Sequence, residues 1–168
     1  MATQHVQLVV GVDGSPAARA ALDWSIRQAR LLAAEVIAVH AWQPADRWRA
    51  PYAPLDALPT PEDDRKAADR LLDDVVAPAR VAAPGTPLTG LLVEGPAVPV
   101  LIAYAAQAHL LVLGRRVRRD PVLPALGSTA LACMRGAACP VVTVPERAPE
   151  SHRSRSTAEP DLFTHVTR

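Results

Sequence analysis

One stretch of the sequence gathers residue types suited to holding an anion. Gly114-Arg115-Arg116-Val117 is followed by nine residues and then by Gly127-Ser128-Thr129. Glycine lets the main chain approach a phosphate without a Cβ in the way. The start of a helix offers unpaired N–H groups and about half a positive charge. Ser128 and Thr129 would add hydroxyl donors. Arg115, Arg116, Arg118 and Arg119 set four guanidinium groups in the same loop, and the guanidinium fork suits bidentate phosphate contact. The competing reading of the same residues is a surface loop with solvated arginines.

The remaining candidates for chemistry are scattered. Asp13, in Asp13-Gly14-Ser15-Pro16, stands where a strand should turn into a helix, and an Asx-turn acceptor is its plainest role. His40 lies inside an apolar strand and reads as a satisfied core or rim histidine rather than a catalytic one. His109 reads as a solvent-facing cap, and His5, His152 and His165 show no metal-ligand spacing. Glu62, Asp63 and Asp64 follow Thr60-Pro61 and are explained by the positive end of a helix dipole. Asp13 and Glu94 could share one rim and meet a metal carried by a ligand, on the thin support of two isolated acids. Cys133 and Cys139 match no disulfide or metal framework and read as two small buried thiols. No Ser-His-Asp or Cys-His arrangement emerges from the spacing.

The elements that must position these residues alternate between strand and helix signals. Apolar runs predict strands at 6–12, 36–41, 88–94, 110–113 and 140–144. Helices are predicted after each of the first four. The first is capped by Ser15 with Pro16 at its first position, and Leu22, Ile26, Ala29 and Ala33 form its buried stripe. The second starts at Thr60, buries Ala68, Leu71, Leu72, Val75, Val76 and Ala79, and is closed by Pro84-Gly85. The third runs over about 97–108, with Pro99 tolerated in its first turn. The fourth begins at Gly127-Ser128 and ends at Gly136 as C-cap. Continuous apolar strands separated by helices predict an α/β fold, an open five-stranded parallel sheet with helices on both faces. In such a sheet ligands bind beyond the carboxyl ends of the strands. Asp13, Ala41, Glu94 and Gly114 should lie along that rim. Residues 42–59 interrupt the pattern with four prolines, Trp42, Trp48 and Tyr52. This reads either as a binding lid or as a variable surface excursion. The domain is predicted over 1–146, followed by a polar, disordered tail over 147–168.

Bulk composition agrees with one globular domain. The chain has 168 residues, 49% hydrophobic and 21% charged, with only 4% aromatic. Ala, Val and Leu must therefore fill the core. A net charge of +1 gives no global field toward nucleic acid or a membrane surface. All 18 basic residues except Lys66 are arginines, which reads as a codon-composition effect. No apolar run approaches the roughly 20 residues of a membrane span, and no signal peptide is visible. A reducing cytoplasm is the expected location.

The order Val9-Val10-Gly11-Val12-Asp13-Gly14-Ser15, Val39-His40-Ala41, Val93-Glu94-Gly95, Leu111-Val112-Leu113-Gly114, Gly127-Ser128 and Ala138-Cys139-Pro140-Val141-Val142 resembles the universal stress protein family over about residues 6–145. Members that bind ATP carry Gly, two residues, Gly, nine residues, then Gly and Ser or Thr. Gly114, the gap and Gly127-Ser128 match that pattern, and Val117 stands at its second glycine. A β-branched residue there is strained if φ is positive and could crowd a phosphate, while the four arginines could offset the lost approach.

The resemblance implies a Rossmann-like fold of the adenine nucleotide alpha hydrolase type. It places Val12 and Ala41 against adenine, with Asp13 toward ribose or base. Gly114, Arg116, Val117, Gly127, Ser128 and Thr129 fall at the phosphates. It implies ATP or a related adenine nucleotide, with Mg²⁺ possible alongside, and a homodimer through the strand 140–144, an apolar edge suited to self-pairing. Three functions follow. The first is a stress or signalling module whose nucleotide occupancy regulates partners or dimerisation, with little or no hydrolysis. The second is a dimeric interaction module of the same fold that binds no nucleotide, and the third an ATPase or nucleotide-dependent transferase.

Overall fold

The computed structural model describes residues 6–45, 60–116 and 126–146. Most of the excursion after Trp42, the loop residues Val117, Arg118 and Arg119, and the tail from Arg147 lie outside the described residues.

Five strands and four helices alternate along the chain: β1 (Gln7–Gly11), α1 (Pro16–Leu32), β2 (Glu35–Trp42), α2 (Pro61–Ala82), β3 (Leu88–Glu94), α3 (Ala97–Ala105), β4 (Leu110–Arg115), α4 (Ser128–Gly136) and β5 (Val141–Pro145). Every strand pair is parallel, in the order β3-β2-β1-β4-β5. Because strand side chains alternate between faces, each strand feeds two cores. Leu8, Val10, Val36 and Ala38 meet Leu22, Ile26, Leu72 and Val76 of α1 and α2 on one face. Val9, Val39, Leu111 and Leu113 meet Val100, Leu101, Ala130 and Cys133 of α3 and α4 on the other. Burial on both faces is why these strands read as unbroken apolar runs.

Helix ends follow local chemistry. The Ser15 hydroxyl accepts the Ala18 N–H at 3.1 Å, and Pro16 occupies the first turn of α1. Thr60 and Asp63 form a reciprocal capping box at α2. The other two acids of that turn are also engaged. Asp64 accepts the Ala45 N–H at 2.8 Å, and Glu62 lies 3.5 Å from Lys66.

Several boundaries differ from expectation. Ala33, assigned above to the buried stripe of α1, is exposed and serves as C-cap in the left-handed region at φ 49°. Gly136 is the last helical residue of α4 rather than its cap. A Cβ there would stand 2.7 Å from Ile102 Cδ1, so this glycine serves the α3–α4 contact. The α2 helix does end as expected, at Ala82 just before Pro84-Gly85, but it passes through Pro78. A proline deprives the carbonyl four residues earlier of its donor. That carbonyl belongs to Asp74, and the Arg19 Nη1 from α1 donates to it at 3.1 Å.

Candidate functional site

The strand order reverses between β1 and β4, the two strands from which the chain runs outward in opposite directions. Loops leaving neighbouring strands there diverge to opposite faces and open a crevice. A cleft of about 380 Å³ lies at this point.

Four segments build the cleft. The β1–α1 turn contributes Val12, Asp13 and Ser15, and the end of β2 contributes His40 and Ala41. Gly114 and Arg116 come from the end of β4, and Gly127 and Thr129 from the start of α4. Val39, Leu101 and Leu113 give it an apolar floor, with Ala97 at the start of α3 beside them. Ser128 is exposed and is not among the lining residues. Each helical step turns about 100°, so Thr129 and Ala130 face the cleft while Ser128 is carried past it. Val117 lies outside the described residues. Glu94 ends β3, two strands from β1, and does not line the cleft.

Local hydrogen bonds explain how the turn after β1 is held. Gly14 adopts φ 78°, a conformation that favours glycine, and so reverses the chain after Asp13. The Ser15 N–H donates to Asp13 Oδ1 at 3.0 Å, which closes an Asx turn. The carboxylate remains exposed, and its second oxygen can accept from a ligand hydroxyl or amine. The Val12 N–H donates to the Val39 carbonyl at 2.9 Å. His40 Nδ1 donates to the Val12 carbonyl at 2.8 Å, which makes His40 the satisfied rim histidine its strand position implied.

The two glycines of the opposite wall do different work. A Cβ on Gly114 would lie 2.4 Å from the Ala17 carbonyl carbon and 2.6 Å from the Ala18 nitrogen. Gly114 therefore lets the first turn of α1 seat directly on β4. A Cβ on Gly127 would meet nothing within 4 Å. Gly127 is the N-cap of α4, and no side chain caps that helix. The first intrahelical bond of α4 runs from the Leu131 N–H to the Gly127 carbonyl at 3.0 Å. The N–H groups of residues 128–130 thus lack intrahelical acceptors and stand at the edge of open space. Helix starts at α1, α3 and α4 all face the cleft, and Arg116 adds a full positive charge. Asp13 is the one carboxylate among the lining residues. Such a cleft can hold a flat apolar group on its floor, a hydroxyl or amine at Asp13 and an anion at α4.

Among the described residues no group of three or more His, Cys, Asp and Glu side chains could hold a metal ion. The two cysteines lie away from the cleft, and burial raises both thiol pKa values above the ordinary cysteine range. Sequence reasoning did not nominate the apolar floor or His40 as cleft residues. The signal that could have found them is parity. Val39 and Leu113 alternate onto the α3–α4 face near the carboxyl ends of their strands.

The fold and cleft together define an open α/β protein with a crevice at its strand-order reversal. The sequence profile of the universal stress protein family matches residues 7–145, and the chain belongs to that family. A universal stress protein of Mycobacterium tuberculosis is 32% identical over 141 residues, covering 82% of this chain and 46% of the relative. The chain thus spans about half the length of the curated relatives it matches. A crystal structure of a family protein from Burkholderia pseudomallei is 25% identical with a TM-score of 0.61, covering 86% of this chain and 99% of that one. A universal stress protein from Archaeoglobus fulgidus, solved in complex with dAMP, is 22% identical with a TM-score of 0.62, covering 84% and 98%.

Among the described residues no helix is long and apolar enough to cross a membrane.

Proposed function

We propose that this protein is a stress-response or signalling module that binds ATP or a related adenine nucleotide in the cleft. Occupancy regulates its partners or its self-association, and hydrolysis is weak or absent. The observation that carries this reading is the uncapped start of α4. Its free N–H groups and the open space at Gly127 face Asp13 across an apolar floor. A purine would lie on Val39, Leu101 and Leu113, beside the main chain of Val12 and Ala41. Asp13 would accept from the sugar or base, and Arg116, Thr129 and the α4 amides would receive the phosphates. The dAMP complex of the Archaeoglobus fulgidus protein supports the same ligand class. A Mg²⁺ ion carried by the triphosphate would meet one protein carboxylate here, that of Asp13.

Homodimerisation through β5 belongs to the same proposal. The strand order leaves β5 at a sheet edge, where an unpaired strand can add to its equivalent in a second copy.

Isothermal titration with ATP, AMP and dAMP, paired with mass analysis of small molecules released on denaturation, tests the binding. Measurable heat and a rise in melting temperature are expected, since a ligand that binds only the native state stabilises it by RT ln(1 + [L]/Kd). No heat and no thermal shift at millimolar nucleotide refutes the reading. The second reading, a dimeric interaction module that binds no nucleotide, is favoured by Val117 at the pattern's second glycine. Val117→Gly separates the two: ATP affinity that appears only in the variant supports the second reading, and equal, tight affinity in both proteins removes it.

A further inference from the structure

We propose that His40 is a positioning residue that acts through Asp13, keeping a proton on Nδ1 to lock the Val12–Asp13 peptide at the mouth of the cleft. The consequence for binding rests on the nucleotide reading above, whereas the tautomer does not.

The register between β1 and β2 ends at Gly11 opposite Val39. One more main-chain rung follows, from the Val12 N–H to the Val39 carbonyl at 2.9 Å. The chain then turns away at Gly14, and among the described residues the donor that meets the Val12 carbonyl is the His40 side chain, at 2.8 Å. Val12 is buried, so its carbonyl needs a protein partner. Two consecutive residues of β2 thus grip both polar groups of the residue that follows β1.

A carbonyl oxygen only accepts, so Nδ1 must carry the proton. Free imidazole in water favours the other neutral tautomer, which makes the state of this ring a specific expectation. The Val12 carbonyl and the Asp13 N–H share one rigid peptide plane. Fixing the carbonyl fixes where the Asp13 backbone begins, and the Ser15 N–H bond to Asp13 Oδ1 at 3.0 Å fixes where its carboxylate ends. With both ends tied, the second carboxylate oxygen keeps one direction.

Proton-coupled ¹⁵N NMR of the ligand-free protein reads the tautomer directly. A proton on His40 Nδ1 is expected, and a ring protonated at Nε2 alone overturns the proposal whether or not any nucleotide binds. The functional arm compares His40→Asn, whose side-chain amide can donate from nearly the Nδ1 position, with His40→Val, which has no donor. His40→Val is expected to weaken ATP binding about tenfold, the scale of one net hydrogen bond, and His40→Asn to recover most of that loss. The Val effect should shrink in an Asp13→Ala background, because the carboxylate that the lock aims is then gone. An equal loss in both backgrounds, or no rescue by Asn in a protein that still melts cooperatively, overturns the proposal. Should the parent protein fail to bind any adenine nucleotide, the functional reading falls, and the tautomer result alone then judges the lock.

Discussion

Replacing Gly114 by alanine separates two roles that one glycine could play. A glycine kept for ligand approach tolerates a methyl group in the empty protein, whereas a glycine kept for packing does not. The added Cβ would stand 2.4 Å and 2.5 Å from the Ala17 carbonyl carbon and oxygen, and 2.6 Å from the Ala18 nitrogen. Ordinary contact between carbon atoms is about 3.5–4.0 Å, so the first turn of α1 would have to lift by about 1 Å. The obstructing atoms are main chain and cannot rotate aside. Overpacking costs about 1–3 kcal/mol, and a backbone clash belongs at the upper end, about 3 kcal/mol. For a protein of this size that lowers the melting temperature by roughly 6–12 °C. Gly127→Ala is the matched control, since its Cβ would meet nothing within 4 Å. It loses only cap preference, about 0.5 kcal/mol. Calorimetry of both variants without ligand reads the contrast. A Gly114→Ala protein melting within about 2 °C of the parent would refute the packing argument and return this glycine to a purely ligand-facing role.

Three further outcomes are expected. Asp13→Ala should reduce ATP affinity about tenfold or more by titration, with little change in melting temperature, because the carboxylate is exposed and gives up one local turn bond. Arg19→Ala should destabilise the protein by about 1 kcal/mol in chemical denaturation, since it leaves the Asp74 carbonyl opposite Pro78 without its donor. The capping box of α2 should weaken in acid. Hydrogen bonds from the Thr60 hydroxyl and backbone, together with Lys66 nearby, hold the Asp63 carboxyl below the usual carboxylate range. A depressed folded pKa stabilises above the unfolded value and is lost as pH falls through the folded one. The melting temperatures of the parent and of Thr60→Ala should therefore converge below about pH 4, and a gap that stays constant to pH 3 would contradict this.

The fold was legible because burial on both faces leaves nothing to interpret in a strand except its apolar run. All five strands and all four helix starts fall within a residue or two of where the sequence places them. The helix ends were less legible. Ala33 ends α1 in the left-handed region without the glycine that usually marks such a stop. Gly136 carries that mark and continues the helix, because its missing side chain makes room for Ile102. In each case tertiary packing outweighs local preference, and no single-sequence pattern records it. The site divides along the same line. Among the residues that line the cleft, Asp13, Gly127 and Thr129 were readable from turn and helix-start chemistry and Arg116 from its arginine-rich loop. The partner of the Val12 carbonyl and the seat of α1 on Gly114 depend on contacts across 28 residues and nearly 100 residues of chain.

These two long-range contacts bear on the same turn. Residues 12–15 connect β1 to the first turn of α1, and they carry Asp13 into the cleft. At one end His40 holds the Val12 carbonyl, and at the other the backbone of Ala17 and Ala18 rests on Gly114. Between them the Asx turn and the Ser15 cap remove the remaining freedom. A short segment fixed at both ends by separate strands cannot adjust one anchor without straining the other. Asp13 is therefore oriented by the scaffold before any ligand arrives, which lowers the ordering cost of binding. The same rigidity means that Gly114→Ala and His40→Val, though on opposite sides of the cleft, should disturb one carboxylate, and their effects on affinity should fall short of additive.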